Sequence, residues 1–331
     1  MINNSFGKNL LALAACALSL PLGAVAQTTV FSDNFTGGST VDAANFTPTA
    51  TSTSYQWFSG LAGGTANTTS DLHLALPSTT SIVGEAQAMF ASSPISLATI
   101  GDNIQLTIVF TDTANVMLTT NSNSSLAIGL FNSGGAAPNQ GVITLNAGNN
   151  TGGSQNWKGF SSVALLSSGS NKLLARGPQT ANGTTSQNQD LLFNGASSSQ
   201  TYNSPTATQV GSSKSDTASP LTLTAGTVVT NFLSITLSPT YQLVVSNSIS
   251  TSAGVLYFNS GTTVAGSLVT TNFDSLSFGW REAVGPAAAS SIDVSQVLVT
   301  DQISAVPEPT TLALLGGAAA TLIFRRRQLR G

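Results

Sequence analysis

Between Gln27 and Ala305 the chain offers little that could do acid–base or nucleophilic chemistry. It has two glutamates there, Glu85 and Glu282, one histidine, His73, and no cysteine, since the sole Cys is Cys16. A glycosidase needs two carboxyl groups about 5–10 Å apart, one of them a proton donor. Glu85 and Glu282 are far apart in sequence, and no E-x-D-x-x-E run places a pair on one strand. A serine triad would have to run through His73 alone. A Cys/His zinc site or a disulfide framework lacks its ligands. The twelve carboxylates of this stretch are more simply solvated turn residues. His73 alternates outward from Leu72, Leu74 and Leu76, as a surface histidine does. The expectation is a protein without catalysis.

Binding chemistry is better represented. Trp57, Trp157, Trp280 and Tyr202 are the residues on which a sugar ring could stack. Trp280 continues the apolar face of Leu276 and Phe278 and is expected in the core. Trp57 and Trp157 sit beside turn-rich sequence and are the glycan-binding candidates. No cofactor is expected. Structural calcium is the open alternative, because hard cations take Asp, Asn and backbone oxygens and Asp33, Asp274 and Asp293 fall on the terminal strands. No EF-hand or tandem Asp loop is present.

Charge narrows the partners. Charged residues make up 7% of the 331 residues, against roughly 25% in ordinary soluble domains. Hydrophobic residues at 41% provide for a core, so a strongly charged disordered chain is excluded. Nucleic acid is excluded too, since phosphate binding needs clustered Lys and Arg. From Gln27 to Ala305 there are five basic and twelve acidic residues, a net charge of −7. Ser, Thr, Asn, Gln and Gly fill the surface, which suits uncharged polymers.

The elements that must carry these residues are strands. Leu72, Leu74 and Leu76 alternate with Asp71, His73 and Ala75, and Ile104, Leu106, Ile108 and Phe110 with Gln105, Thr107 and Val109. The same period of two runs through Leu233, Ile235 and Leu237, and through Tyr241, Leu243 and Val245. It returns in Leu276, Phe278 and Trp280, then in Ile292 and Val294 on to Leu298. Such alternation marks half-buried strands. Ser133-Gly134-Gly135 and Gly152-Gly153 read as turns. The stretches 179–189 and 197–219, rich in Ser, Thr, Gly and Asn, read as loops. No amphipathic helix exceeds two turns and no repeat of 20–50 residues stands out. The expected fold is all-β, an antiparallel β-sandwich of jelly-roll type over residues 27–305.

Both ends read as addresses. Lys8, an apolar run from Leu10 to Leu22, and Ala24-Val25-Ala26 before Gln27 make a signal peptide over residues 1–26, cut after Ala26. Leu13-Ala14-Ala15-Cys16 also fits a lipobox, the alternative in which Cys16 is lipidated. At the other end Val306-Pro307-Glu308-Pro309 precedes an uncharged stretch from Thr310 to Phe324, followed by Arg325-Arg326-Arg327. Apolar residues surround this stretch with no polar stripe, so a membrane helix is expected. Its length, about 22 Å as a helix, is short for a permanent span. Arg325, Arg326 and Arg327 hold that end in the cytoplasm and leave the body outside.

The ordered set of Pro307-Glu308-Pro309, the Leu/Gly/Ala-rich stretch with Gly316-Gly317, and the basic cluster closely resembles the PEP-CTERM sorting signal of Gram-negative bacteria. The resemblance covers residues 306–331. It implies recognition by an exosortase, removal of the tail, and delivery to the cell surface or an exopolysaccharide matrix. The body resembles, more loosely, the concanavalin A-like and laminin-G-like jelly rolls. It does so through Phe31-Ser32-Asp33-Asn34-Phe35, Gly129-Leu130-Phe131, the strand Phe273 to Gly279, and Ile292 to Val299. That likeness implies that the first and last strands pair. The combined expectation is a secreted, exosortase-processed surface or matrix protein, with signal peptidase and exosortase as partners during export. Its C-terminal helix is expected to hold it transiently at the membrane, and neutral exopolysaccharide is the expected ligand. A secreted polysaccharide-active hydrolase or lyase, and a self-associating matrix protein, are the alternatives.

Overall fold

The computed structural model describes residues 26–36, 40–41, 56–61, 65–68, 70–76, 82–113, 125–136, 153–165, 170–178, 191–192, 207–212, 214–215, 223–264, 269–282 and 290–304. The signal-peptide run with Ala24, the motif Pro307–Pro309, the apolar stretch and Arg325–Arg327 lie outside the described residues. Among the described residues no helix is long and apolar enough to cross a membrane.

The body begins with β1 (Thr28–Asp33), β2 (Thr40–Val41), β3 (Gln56–Leu61), β4 (Thr65–Thr68) and β5 (Leu72–Leu76). Next come β6 (Ile82–Met89), β7 (Ile95–Ser96), β8 (Asn103–Asp112) and β9 (Ser125–Asn132). A single 3-10 turn, Gly153–Asn156, leads into β10 (Lys158–Leu165) and β11 (Ser170–Arg176). Then follow β12 (Ala207–Gln209), β13 (Lys214–Ser215), β14 (Val228–Leu237) and β15 (Leu243–Thr251). The last are β16 (Gly254–Thr262), β17 (Asn272–Phe273), β18 (Ser275–Glu282) and β19 (Ser290–Gln302).

Two large sheets result. The first has the order β16-β15-β14-β8-β19-β5-β4, with β1 also on β19. The second runs β12-β11-β10-β9-β18-β6-β3-β2, with β13 also on β11. A small third sheet pairs β7 with β17. The pairing is antiparallel except between β2 and β3. β1 lies beside β19, Phe31 opposite Val299 and Asp33 opposite Val297, the pairing implied by the resemblance.

Alternation explains the layers. Ile104, Leu106, Ile108 and Phe110 are buried on β8, as are Leu233, Ile235 and Leu237 on β14. Leu276, Phe278 and Trp280 are buried on β18. The sheets also meet through buried amides. Asn171 on β11 donates from Nδ2 to Asn247 Oδ1 on β15 at 2.8 Å. Asn247 Nδ2 in turn donates to Asn231 Oδ1 at 2.8 Å and to the Phe232 carbonyl at 2.7 Å. Ser162 Oγ donates to Asn171 Oδ1 at 2.8 Å, and Asn259 Nδ2 reaches the Asn171 carbonyl at 2.7 Å. Buried amides are tolerated where their partners are present.

Three sequence readings are corrected. Tyr241 does not extend the Leu243/Val245 face but turns the β14–β15 hairpin at φ 55°, with 65% of its surface exposed. Beyond Val294 a bulge shifts the register of β19, so Val297 and Val299 are buried and Leu298 faces outward. A bulge inserts one residue and so inverts the faces that follow it. The stretch 197–219, read as loop, contains β12 and β13, both added to the edge of β11.

Candidate functional site

Three surfaces of the body carry the residues singled out by the sequence. The first is the far face of the second sheet, which is buried rather than open. Met89, Ala127, Phe131, Trp157, Val163, Leu174, Leu191 and Leu192 form a separate apolar cluster there. The Phe131 ring lies across a glycine bed, and a Cβ on Gly129 would come within 2.6 Å of it. Trp157 is 0% exposed. Its indole N–H donates to the Ala136 carbonyl at 2.6 Å, and its ring centroid lies 6.4 Å from that of Phe131. The buried Arg176 guanidinium donates to the Trp157 carbonyl. A ring with no exposed face offers no platform to a sugar, so Trp157 is a core residue here, and its placement among the glycan-binding candidates is corrected.

Glu85 occupies the same face and is also 0% exposed. Its carboxylate accepts from Ser277 Oγ at 2.7 Å and from Gln87 Nε2 at 2.7 Å. It also takes the backbone N–H of Leu191 at 3.1 Å and that of Leu192 at 3.4 Å. A carboxylate surrounded by donors anchors a chain segment, because each donor would otherwise be buried without an acceptor. The sequence drew attention to Glu85 as a candidate acid. It could not show that Leu191-Leu192 supplies the donors. Glu282 pairs with Ile82, three residues along β18 from Gly279, the partner of Glu85.

The second surface is a polar cluster on the first sheet. His73 Nδ1 lies 2.5 Å from Asp293 Oδ1 across the β5–β19 pair, with the two side chains 32% and 30% exposed. Burial pushes the Asp71 carboxyl above its ordinary range, and repulsion by Asp293 adds to this while His73 offsets part of it. Among the described residues no group of three or more His, Cys, Asp and Glu side chains could hold a metal ion. The aspartates considered for calcium are instead separately engaged. Asp33 accepts the Phe35 N–H at 2.7 Å, and Asp274 takes the Ser133 N–H and hydroxyl, both at 2.7 Å. Trp57 lies on β3 at the position paired with Val41.

The third surface is the outer face of the first sheet. One rung across five strands reads Thr300, Gln105, Ser234, Ser246, Ser260. A neighbouring rung reads Leu298, Thr107, Phe232, Ser248, Phe258. β14, β15 and β16 contain no charged residue. Five strands span about 19 Å, so this is a broad face of hydroxyls, amides and aromatic rings. Alternation locates it on β8, β14 and β15, whose outward positions are Ser, Thr, Asn, Gln or apolar; on β19 the bulge hid it, and Asp293 also faces outward there.

Comparison with known proteins speaks to both the tail and the body. The PEP-CTERM protein-sorting motif family matches residues 305–327. The chain therefore carries this motif, which indicates export by way of an exosortase to the cell surface or extracellular space. No curated protein matches the chain. Among solved structures, lectin II from Ulex europaeus aligns at 15% identity and a TM-score of 0.39, over 79% of this chain and 97% of that one. The VIP36 exoplasmic/lumenal domain in its Ca2+/Man-bound form aligns at 12% identity and 0.39, over 78% and 87%. An endo-1,3-beta-glucanase from Streptomyces sioyaensis aligns at 11% identity and 0.42, over 84% and 97%. The all-β sandwich itself is read from the strand pairings.

Proposed function

We propose that this chain, which ends in a PEP-CTERM protein-sorting motif, is a surface or matrix protein that holds uncharged polysaccharide without cleaving it. One observation carries the reading. The outer face of the first sheet presents Gln105, Thr107, Ser246, Ser248 and Ser260 with Phe232 and Phe258 across four strands, on a body of net charge −7. Acidic bodies repel anionic polymers, whereas hydroxyl and amide rows exchange hydrogen bonds with neutral sugars and aromatic faces accept their C–H groups. The occupation of the Glu85 carboxylate by structural donors supports a role without catalysis. In this reading the body is residues 27–305, signal peptidase removes residues 1–26, and the tail 306–331 keeps the precursor in the membrane until an exosortase cuts it.

Binding of the exported protein to an array of neutral and anionic glycans tests the proposal. Retention of neutral glucans is expected, and the double variant Thr107→Glu, Ser248→Glu should abolish it by placing charge in the outward rungs. Trp57→Ala tests the remaining stacking candidate in the same assay. Silence of the wild type on every neutral glycan would overturn the reading and favour a self-associating matrix protein, which sedimentation would then show as oligomers. Release of reducing ends from a bound glucan would instead favour the hydrolase alternative.

A further inference from the structure

At one end of the first sheet, the end from which the chain leaves the body, exposed apolar side chains stand on three neighbouring segments. β19 finishes there with Gln302 opposite Asn103, and β1 starts there with Thr28 opposite Asp301. Three other segments close the same end: residues 97–102 before β8, the β14–β15 turn, and the residues after β16. They are bonded to one another. The Gly101 N–H donates to the Leu237 carbonyl at 2.8 Å, and the Leu237 N–H to the Asp102 carbonyl at 2.9 Å. Gln242 Nε2 donates to the Thr263 carbonyl at 2.7 Å.

Each segment carries one large exposed apolar residue. Ile100 is 42% exposed, Tyr241 65% and Val264 72%. Tyr241 stands in the left-handed region, where residues other than Gly, Asn and Asp are uncommon, and its N–H is tied to the Ser238 carbonyl at 2.9 Å. None of the described residues in these segments is Lys or Arg. Asp102 is buried, with its carboxylate taken by the N–H groups of Ala98 and Thr99 at 2.9 and 2.7 Å. Burial, and then the neighbouring Asp102, push the Asp301 carboxyl above its ordinary range.

Only residues 303–309 separate β19 from the apolar stretch that opens at Thr310. Eight residue steps, fully extended, reach at most about 29 Å. With the tail in a membrane, this end of the body is therefore held within that distance of the bilayer. We infer that Ile100, Tyr241 and Val264 form a lipid-contacting surface that rests in the bilayer interface while the precursor is anchored. The inference rests on the reading of the tail as membrane-inserted. Tyrosine suits the interface because its ring is apolar and its hydroxyl reaches water. Without Lys or Arg the contact is driven by apolar burial, so it should be indifferent to salt and need no anionic lipid.

The test uses the full chain with Cys16→Ser, reconstituted in phosphatidylcholine vesicles that carry a quencher at the headgroup boundary. Single labelling sites are Ile100→Cys, Tyr241→Cys and Val264→Cys, with Leu315→Cys reporting on the tail. Val228→Cys is the control: Val228 is 52% exposed at the opposite end of β14, about 30 Å away. Quenching at the three loop positions is expected to exceed that at 228 several-fold, with no change on adding salt. Quenching at 315 with loop positions no better than 228 would overturn the inference alone. Absence of quenching at 315 would overturn the membrane reading of the tail, and the inference with it. Loop quenching confined to anionic vesicles would refute apolar contact as its cause.

Discussion

Replacing Asn247 with alanine tests the buried amide layer between the sheets. The Asn247 side chain accepts from Asn171 Nδ2 and donates to Asn231 Oδ1 and the Phe232 carbonyl. Asn171 is 0% exposed and Asn231 2%, so water cannot replace the lost partner without entering the core. Each orphaned buried group costs about 1–3 kcal/mol. With one donor on Asn171 and one acceptor on Asn231 stranded, Asn247→Ala should cost about 2–6 kcal/mol, against a total stability of about 5–15. In urea unfolding the midpoint should fall by about 1 M or more at an unchanged slope. The double variant Asn171→Leu, Asn247→Leu should cost less than the sum of its single variants, because neither leaves the other's partner unmatched. A midpoint for Asn247→Ala within roughly 0.2 M of wild type would refute the reasoning, and so would strict additivity in the double variant.

Glu85→Ala should strand the Leu191 and Leu192 amides, and hydrogen exchange at those two positions should accelerate while that of β14 stays slow. Asp301 has a raised folded-state pKa, so it favours the fold fully below its unfolded value near 3.8 and loses that contribution as pH rises through the folded value. Asp301→Asn should therefore raise the melting temperature at neutral pH, with the gain fading as pH approaches 4. Each Arg costs about 2.5–3.5 kcal/mol at the bilayer centre, so deleting residues 325–330 should let the precursor pass the membrane uncut. Replacing Pro307, Glu308 and Pro309 with alanines should leave it anchored and unprocessed, as precursor mass and location in an exosortase-positive host would show.

The strands were legible where one face is buried and the other wet. Leu72 and Leu74, Ile104 to Phe110, and Leu276 to Trp280 alternate because each strand has a single core side. The reading failed at Tyr241, although Pro239 marks the turn just before it, and beyond Val294, where a bulge interrupts the period with no Gly or Pro to mark it. β12 and β13 were missed because short edge strands of polar residues have no alternation to read. The second core was invisible for another reason. Val163 and Leu174 face Trp157 and Leu191 on the far side of the second sheet, and contacts made by irregular segments carry no periodic signal. That is also why Trp157 looked like a loop aromatic, and why the donors around Glu85 could not be foreseen.

The placement of β19 has a consequence for the order of events in the cell. This strand follows all the others in sequence, yet it lies in the interior of the first sheet, paired with β8, β5 and β1. Until residues 290–302 have emerged from the ribosome, β8 lacks a neighbour on one side and β1 and β5 have no place to dock. Pairings between such distant segments close slowly, because the chain entropy must be lost before the contacts form. If residues 1–26 are the proposed signal peptide, it would be available to the translocation machinery before the body can complete its fold. On that proposal, a sandwich whose first sheet needs its last strand would still be threadable through a secretion channel, and would lock only after that strand had crossed.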